Sequence, residues 1–131
     1  MKRLIVLIVA LAMALVACGG GDGEEATETT TAGTEVVAGD AANGEALYQG
    51  TCMVCHGQAG EGVEGLGKPW VGSDFINSQT DAELLAFLIE GRPSDHPENT
   101  TGIAMMPRGG NPSLSDQDLR DLVAYMRALN P

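Results

Sequence analysis

The sequence predicts an all-α domain of about three main helices in residues 40–131. Two capping boxes each open a stretch with apolar residues at helical spacing, and a shorter stretch near residue 44 shows the same period. No period-two run asks for a sheet, and no internal repeat is present.

Residues 1–17 stand outside this domain. Lys2 and Arg3 precede an apolar run at residues 4–16, too short for a comfortable membrane span, which is the pattern of an export signal. The run ends in Leu15-Val16-Ala17-Cys18, which resembles a bacterial lipoprotein lipobox. That resemblance implies cleavage before Cys18, a diacylglycerol on its sulfur, and a chain held at a membrane with no spanning helix, since two or more acyl chains anchor stably where one does not. Residues 18–39 then read as the lipidated cysteine and a flexible acidic linker. Gly, Thr, Glu and Ala dominate it, with too little apolar surface to offset the entropy of ordering. Its r.m.s. reach is roughly 25 Å and its taut limit about 70 Å.

Within residues 40–131, Gly44, Leu47 and Tyr48 fall at i, i+3, i+4 and predict a short first helix ending near Gly50. Thr80 and Glu83 form a capping box ahead of Leu84, Leu85, Phe87, Leu88 and Ile89, and Gly91 closes this second helix. Ser115 and Asp118 cap a third, whose Leu119, Leu122, Val123, Met126 and Leu129 make an apolar stripe. The connections at residues 57–73 and 92–114 are rich in Gly and Pro and carry no periodic core signal. Loops of that length need something to pack on.

Composition narrows the function. The 131 residues carry a formal charge of -11, and without the leader 5 basic residues face 18 acidic ones, which excludes nucleic acid as a natural partner and favours a basic one. Only five aromatics serve the core (Tyr48, Trp70, Phe75, Phe87, Tyr125), so a domain of about 90 residues calls for an added stabiliser.

Cys52-Met53-Val54-Cys55-His56 supplies one. Two thiols one helical turn apart match the two vinyl groups of haem, and the adjoining imidazole is held over the iron by the same turn. A zinc site would need two more ligands, with only His96 left outside the motif, and a redox dithiol belongs in a βαβ setting that this helical pattern does not offer. One covalently bound haem c is therefore the expected cofactor. For a six-coordinate carrier a thioether as second ligand raises the potential relative to a second imidazole, and Met105 and Met106 lie just ahead of the last helix.

With these residues in view, residues 40–131 resemble the class I cytochromes c, and the resemblance implies the small cytochrome c fold. In that family an M-x-x-x-G loop before the C-terminal helix provides the axial Met, which points to Met105 with Gly109; the family's Met-Pro pairing keeps Met106 before Pro107 as the alternative. The family's packing of the first helix on the last is matched by Gly44, Tyr48, Leu122 and Tyr125. Its G-P-x-L segment is replaced here by Gly67-Lys68-Pro69-Trp70, leaving the carbonyl of Lys68 or Pro69 to accept the His56 Nδ1 proton. Trp70 is a candidate haem-edge residue as well as a core residue. His96 is the alternative distal ligand for a bis-histidine haem.

The function implied is a single-electron carrier, not an enzyme, working between redox donor and acceptor proteins, a membrane respiratory complex among them. It would sit on the outer face of the cytoplasmic membrane or in the periplasm, anchored through Cys18. Two other classes remain as alternatives: a haem enzyme subunit or sensor with an open sixth position, and a thiol-disulfide oxidoreductase using Cys52 and Cys55.

Overall fold

The computed structural model describes residues 38–131; the leader, Cys18 and the linker through residue 37 lie outside the described residues. Asp40 starts α1 (Ala41–Leu47), its carboxylate accepting from the backbone N–H of Ala42 at 2.8 Å and of Asn43 at 3.3 Å, two donors that would otherwise lack partners. The helical path then widens into one π-wound segment (Tyr48–Cys52) and tightens again as α2 (Met53–His56).

This departs from the expected stop at Gly50. Gly50 keeps an ordinary backbone inside the π segment, and the path ends instead at Gly57, whose φ of 83° breaks it. A single π turn inserted in a helix is a rare geometry often found at functional sites, and here it carries the cysteine turn.

The two later helices run as their capping boxes predict, α4 (Asp81–Glu90) and α5 (Asp116–Ala128). A one-turn α3 (Asp74–Ser78), capped by Ser73, precedes α4. Sequence periodicity does not reveal it, because five residues are too few to display a period. A tight turn (Pro107–Gly110), with Arg108 and Gly109 in the left-handed region at φ 53° and 65°, leads towards α5. Among the described residues there is no strand, only two isolated antiparallel bridges, Val63 with Gly67 and Arg92 with Met105.

The core lies where α1 crosses α5 and α4 packs beside it. Tyr48, Leu84, Leu88, Leu119, Leu122 and Met126 are almost wholly buried. Gly44 makes the crossing possible: a Cβ there would collide with the Asp121 carbonyl and lie 2.9 Å from Tyr125 Cβ, so the helices meet backbone to backbone. Asp121, buried in this crossing, accepts from Asp40 N–H at 2.9 Å, Asn43 Nδ2 at 2.6 Å and Gln117 Nε2 at 2.9 Å. Burial alone would raise its carboxyl, but the three donors together hold it below its ordinary value.

The far end of α5 binds the connecting chain. Arg127 pairs with Asp81 at 2.8 Å and donates to the carbonyls of Ile76 (2.7 Å) and Gln79 (2.6 Å), satisfying the end of α3. Asn130 donates to the carbonyl of Trp70 at 2.9 Å and accepts from Ser73 N–H at 3.0 Å.

Candidate functional site

The loops that lacked a core signal enclose a cavity of about 650 Å³, within the range of cofactor sites. Cys55 and His56 reach it from α2, Lys68 and Trp70 from the first long loop, Phe75 and Ile76 from α3, Leu84 and Phe87 from α4, and Met105 from the second long loop. The walls are thus mostly apolar, with an imidazole, a thioether and a thiol among them.

His56 is fixed by its far side. Its Nδ1–H donates to the carbonyl of Lys68 at 2.7 Å, the first of the two acceptors the sequence left open, and the Nε2 lone pair stays available to a metal. This contact depends on Gly67, where a side chain would strike the Cys55 carbonyl; its absence lets the loop lie directly on the cysteine turn. Burial lowers the basicity of the His56 ring, and the Lys68 carbonyl acts in the opposite direction. A ring that resists protonation is suited to bind a metal.

Trp70, 3% exposed, stands edge-on to Tyr48 with ring centroids 4.7 Å apart and tilts against His56 at 5.5 Å. The Tyr48 hydroxyl donates to the Gly57 carbonyl behind the cysteine turn, and burial pushes its pKa up to about 12, so it remains a neutral donor. These contacts make Trp70 a core residue that also forms part of the cavity wall.

The two motif cysteines differ. Cys55 is exposed and lines the cavity, whereas Cys52 is 6% exposed, belongs to the hydrophobic core and is not among the lining residues. Burial, reinforced by the neighbouring Cys55, pushes the Cys52 thiol up to about 12. A reactive dithiol needs a depressed pKa in an electropositive setting, and this position has the opposite character.

The two methionines differ as well. Met105 is half-buried, packs against the core and lines the cavity; Met106 is 57% exposed and does not. His96 is exposed in the turn at residues 93–99, where its Nδ1 accepts from Glu98 N–H at 3.2 Å, and it is not among the lining residues. Arg92, which sequence reasoning passed over, does line the cavity, its guanidinium 4.9 Å from the Phe75 ring centroid and 4.8 Å from that of Phe87. The aromatics were visible in the sequence, but nothing local showed that they would converge on one arginine.

The donor set fits haem c. Among the described residues no cluster of three His, Cys, Asp or Glu side chains is placed to hold a metal ion unaided, whereas an iron already ligated by a macrocycle needs only two axial donors.

The family model for cytochrome c matches residues 41–130. Cytochrome c-551 of Bacillus subtilis is 39% identical over 76 residues, covering 56% of this chain and 65% of that protein. Cytochrome c-555 of Prosthecochloris aestuarii is 32% identical over 90 residues, 66% of this chain and 85% of the relative. A nicotinate dehydrogenase component of Pseudomonas putida is 31% identical over 86 residues, 65% of this chain but 7% of that much longer protein. The match thus spans just under two thirds of the Bacillus protein and a small part of the dehydrogenase component. No solved structure matches significantly. A family match from Ala41 to Asn130, over a helical frame that encloses an apolar cavity with His56 and Met105 in its walls, means that this chain belongs to the cytochrome c family, whose domain binds a covalently attached haem c.

Proposed function

We propose that the protein is a single-electron carrier in which Cys52 and Cys55 form the haem thioethers and His56 and Met105 are the axial iron ligands. The observation that carries this reading is the meeting of His56, oriented by Lys68, with Met105 in the walls of one apolar cavity. A haem bound there supplies a one-electron iron couple. The chain's own part is to hold the imidazole in one tautomer, to present a neutral thioether that favours the reduced state, and to exclude water through Trp70, Phe75, Leu84 and Phe87. It makes and breaks no substrate bond.

The domain at residues 40–131 would ride on the linker at residues 18–39, tethered through a lipidated Cys18 after removal of residues 1–17. This places it on the outer face of the cytoplasmic membrane or in the periplasm, where the tether keeps it at high effective concentration near membrane-bound redox partners. No helix among the described residues is long and apolar enough to cross a membrane. Within residues 38–131 five basic residues face thirteen acidic ones, and three of the five pair with carboxylates. A basic docking face on donor or acceptor therefore fits best, and electron transfer should slow as salt rises. The likeness to a segment of a dehydrogenase component supports a second reading, in which the domain serves as the haem module of a dehydrogenase complex.

The test is a visible spectrum of the haem-matured protein in both redox states, before and after carbon monoxide, with acid-organic extraction. Haem that resists extraction, a low-spin reduced spectrum and no carbon monoxide complex are expected. Extractable haem would sink the thioether assignment, and ready carbon monoxide binding would move the function to sensing or catalysis.

A further inference from the structure

Met105 lies in a loop tied down on both sides: Asn99 Nδ2 donates to the Ile103 carbonyl at 2.8 Å, and Arg108 donates to the Leu114 carbonyl at 2.7 Å and pairs with Asp116 at 2.6 Å. Gly102, Arg108, Gly109 and Gly110 all have positive φ, and Met106 and Ile103 on either side are largely exposed. The backbone of Met105 itself is held by the end of α4. Arg92 N–H donates to the Met105 carbonyl at 2.7 Å, and Met105 N–H donates to the Arg92 carbonyl at 2.8 Å, so residues 92 and 105 form a closed antiparallel pair.

The residue before this pair closes α4. Gly91 N–H donates to the Phe87 carbonyl at 2.8 Å, and Gly91 then turns the chain with φ 72°. A Cβ on Gly91 would press on the Met105 carbonyl oxygen and lie 2.8 Å from Pro107 N. The methionine segment therefore rests on the bare α-carbon of Gly91. Arg92 is in turn anchored by its side chain, stacked against Phe75 of α3 and Phe87 of α4 and paired with Glu98 at 3.0 Å.

We infer that the Gly91–Arg92 elbow at the end of α4 is the positioning element for the axial thioether, with Gly91 and Arg92 as positioning residues acting through the backbone of Met105. The inference rests on the Met105 ligation proposed above. Its physical content is that the backbone of the ligand is registered to α4, whose Leu84 and Leu88 are locked in the core, while Arg108 ties the turn that follows to Leu114 and Asp116 at the start of α5. The iron–sulfur bond should therefore be sensitive to residues that lie outside the methionine loop.

The experiment uses the full haem-loaded chain and reads the long-wavelength charge-transfer band of thioether-ligated ferric haem, carbon monoxide binding to the reduced form, and far-ultraviolet helicity. Wild type should show the band; a wild type without it would refute the ligation reading itself, independently of the elbow. Gly91→Ala should lose the band and bind carbon monoxide at least about tenfold more tightly, with helicity retained. Gly65→Ala is the matched control: it has the same φ of 72°, but its new methyl would meet nothing within 4 Å, and the band should persist.

Arg92→Leu removes the stack and the ion pair but keeps the backbone pair, so on heating its band should vanish well before helicity does. It decides the matter should Gly91→Ala fail to load haem. The inference is overturned if folded Gly91→Ala keeps the wild-type band and carbon monoxide response, if Gly65→Ala loses the band equally, or if band and helicity in Arg92→Leu melt together.

Discussion

The α1/α5 crossing and the cavity loops are held by different means. At the crossing, helix backbones touch through Gly44, apolar side chains fill the interface, and Asp121 ties three donors into a buried polar clamp. Around the cavity, residues 57–73 and 92–114 are held by turn bonds and side-chain bonds of their own, such as those of Asn99 and Arg108, and by contacts such as His56 to Lys68, Asn130 to Trp70 and Ser73, and Arg92 to Met105, with little apolar packing between them. The crossing carries its own core, whereas the loops line a space that a cofactor has to fill. The helical frame should therefore outlast the loss of haem and the loops should not.

The sharpest way to break this contrast is to prevent attachment. Cys52→Ala with Cys55→Ala should abolish covalent haem, and amide hydrogen exchange should rise by orders of magnitude in residues 92–114 while α5 stays protected. Equal loss of protection in both regions would remove the distinction. Next in size is Met105→Ala, which should open the sixth position to carbon monoxide and lower the midpoint potential, while Met106→Ala should leave both unchanged. The reverse result would exchange the two ligand assignments.

Gly44→Ala tests the frame itself. With no room between Gly44 and the Asp121 carbonyl, the helices must separate, and the cost should be about 1–3 kcal/mol or more in denaturant unfolding of the holoprotein. The smallest expected effect is a pH dependence. The folded Asp121 carboxyl sits below its ordinary value, so its contribution is present above the unfolded carboxylate range near pH 4 and is lost as pH falls through the folded value. Asp121→Asn should therefore destabilise at neutral pH and flatten the acid limb of the unfolding profile. A limb as steep as that of wild type would assign the acid sensitivity elsewhere.

The same contrast explains what the sequence made legible. α4 and α5 begin at their capping boxes, Thr80/Glu83 and Ser115/Asp118, because both are written in local residues. The pairing of Gly44 and Tyr48 with Leu122 and Tyr125 came from family likeness, and the close approach at Gly44 shows why a glycine stands there. The proposed attachment residues could be named because Cys52, Cys55 and His56 fall within five successive positions. The end of the first helix could not, because Gly50 and Gly57 look alike in sequence and only backbone conformation separates them. The choice between Lys68 and Pro69, the course of α3 and the convergence of Phe75, Phe87 and Arg92 all depend on contacts between residues far apart in the chain.

The π-wound segment at Tyr48–Cys52 also bears on how such a protein can change over evolutionary time. One inserted residue in a helix advances everything beyond it by about 100° around the axis. That segment lies between the face of α1 that meets α5 and the turn bearing Cys52, Cys55 and His56. A π turn closes at i to i+5 and so takes up one extra residue locally, which means that a single residue gained or lost there can be absorbed while the helix crossing and the turn bearing Cys52, Cys55 and His56 keep nearly the same relative facing.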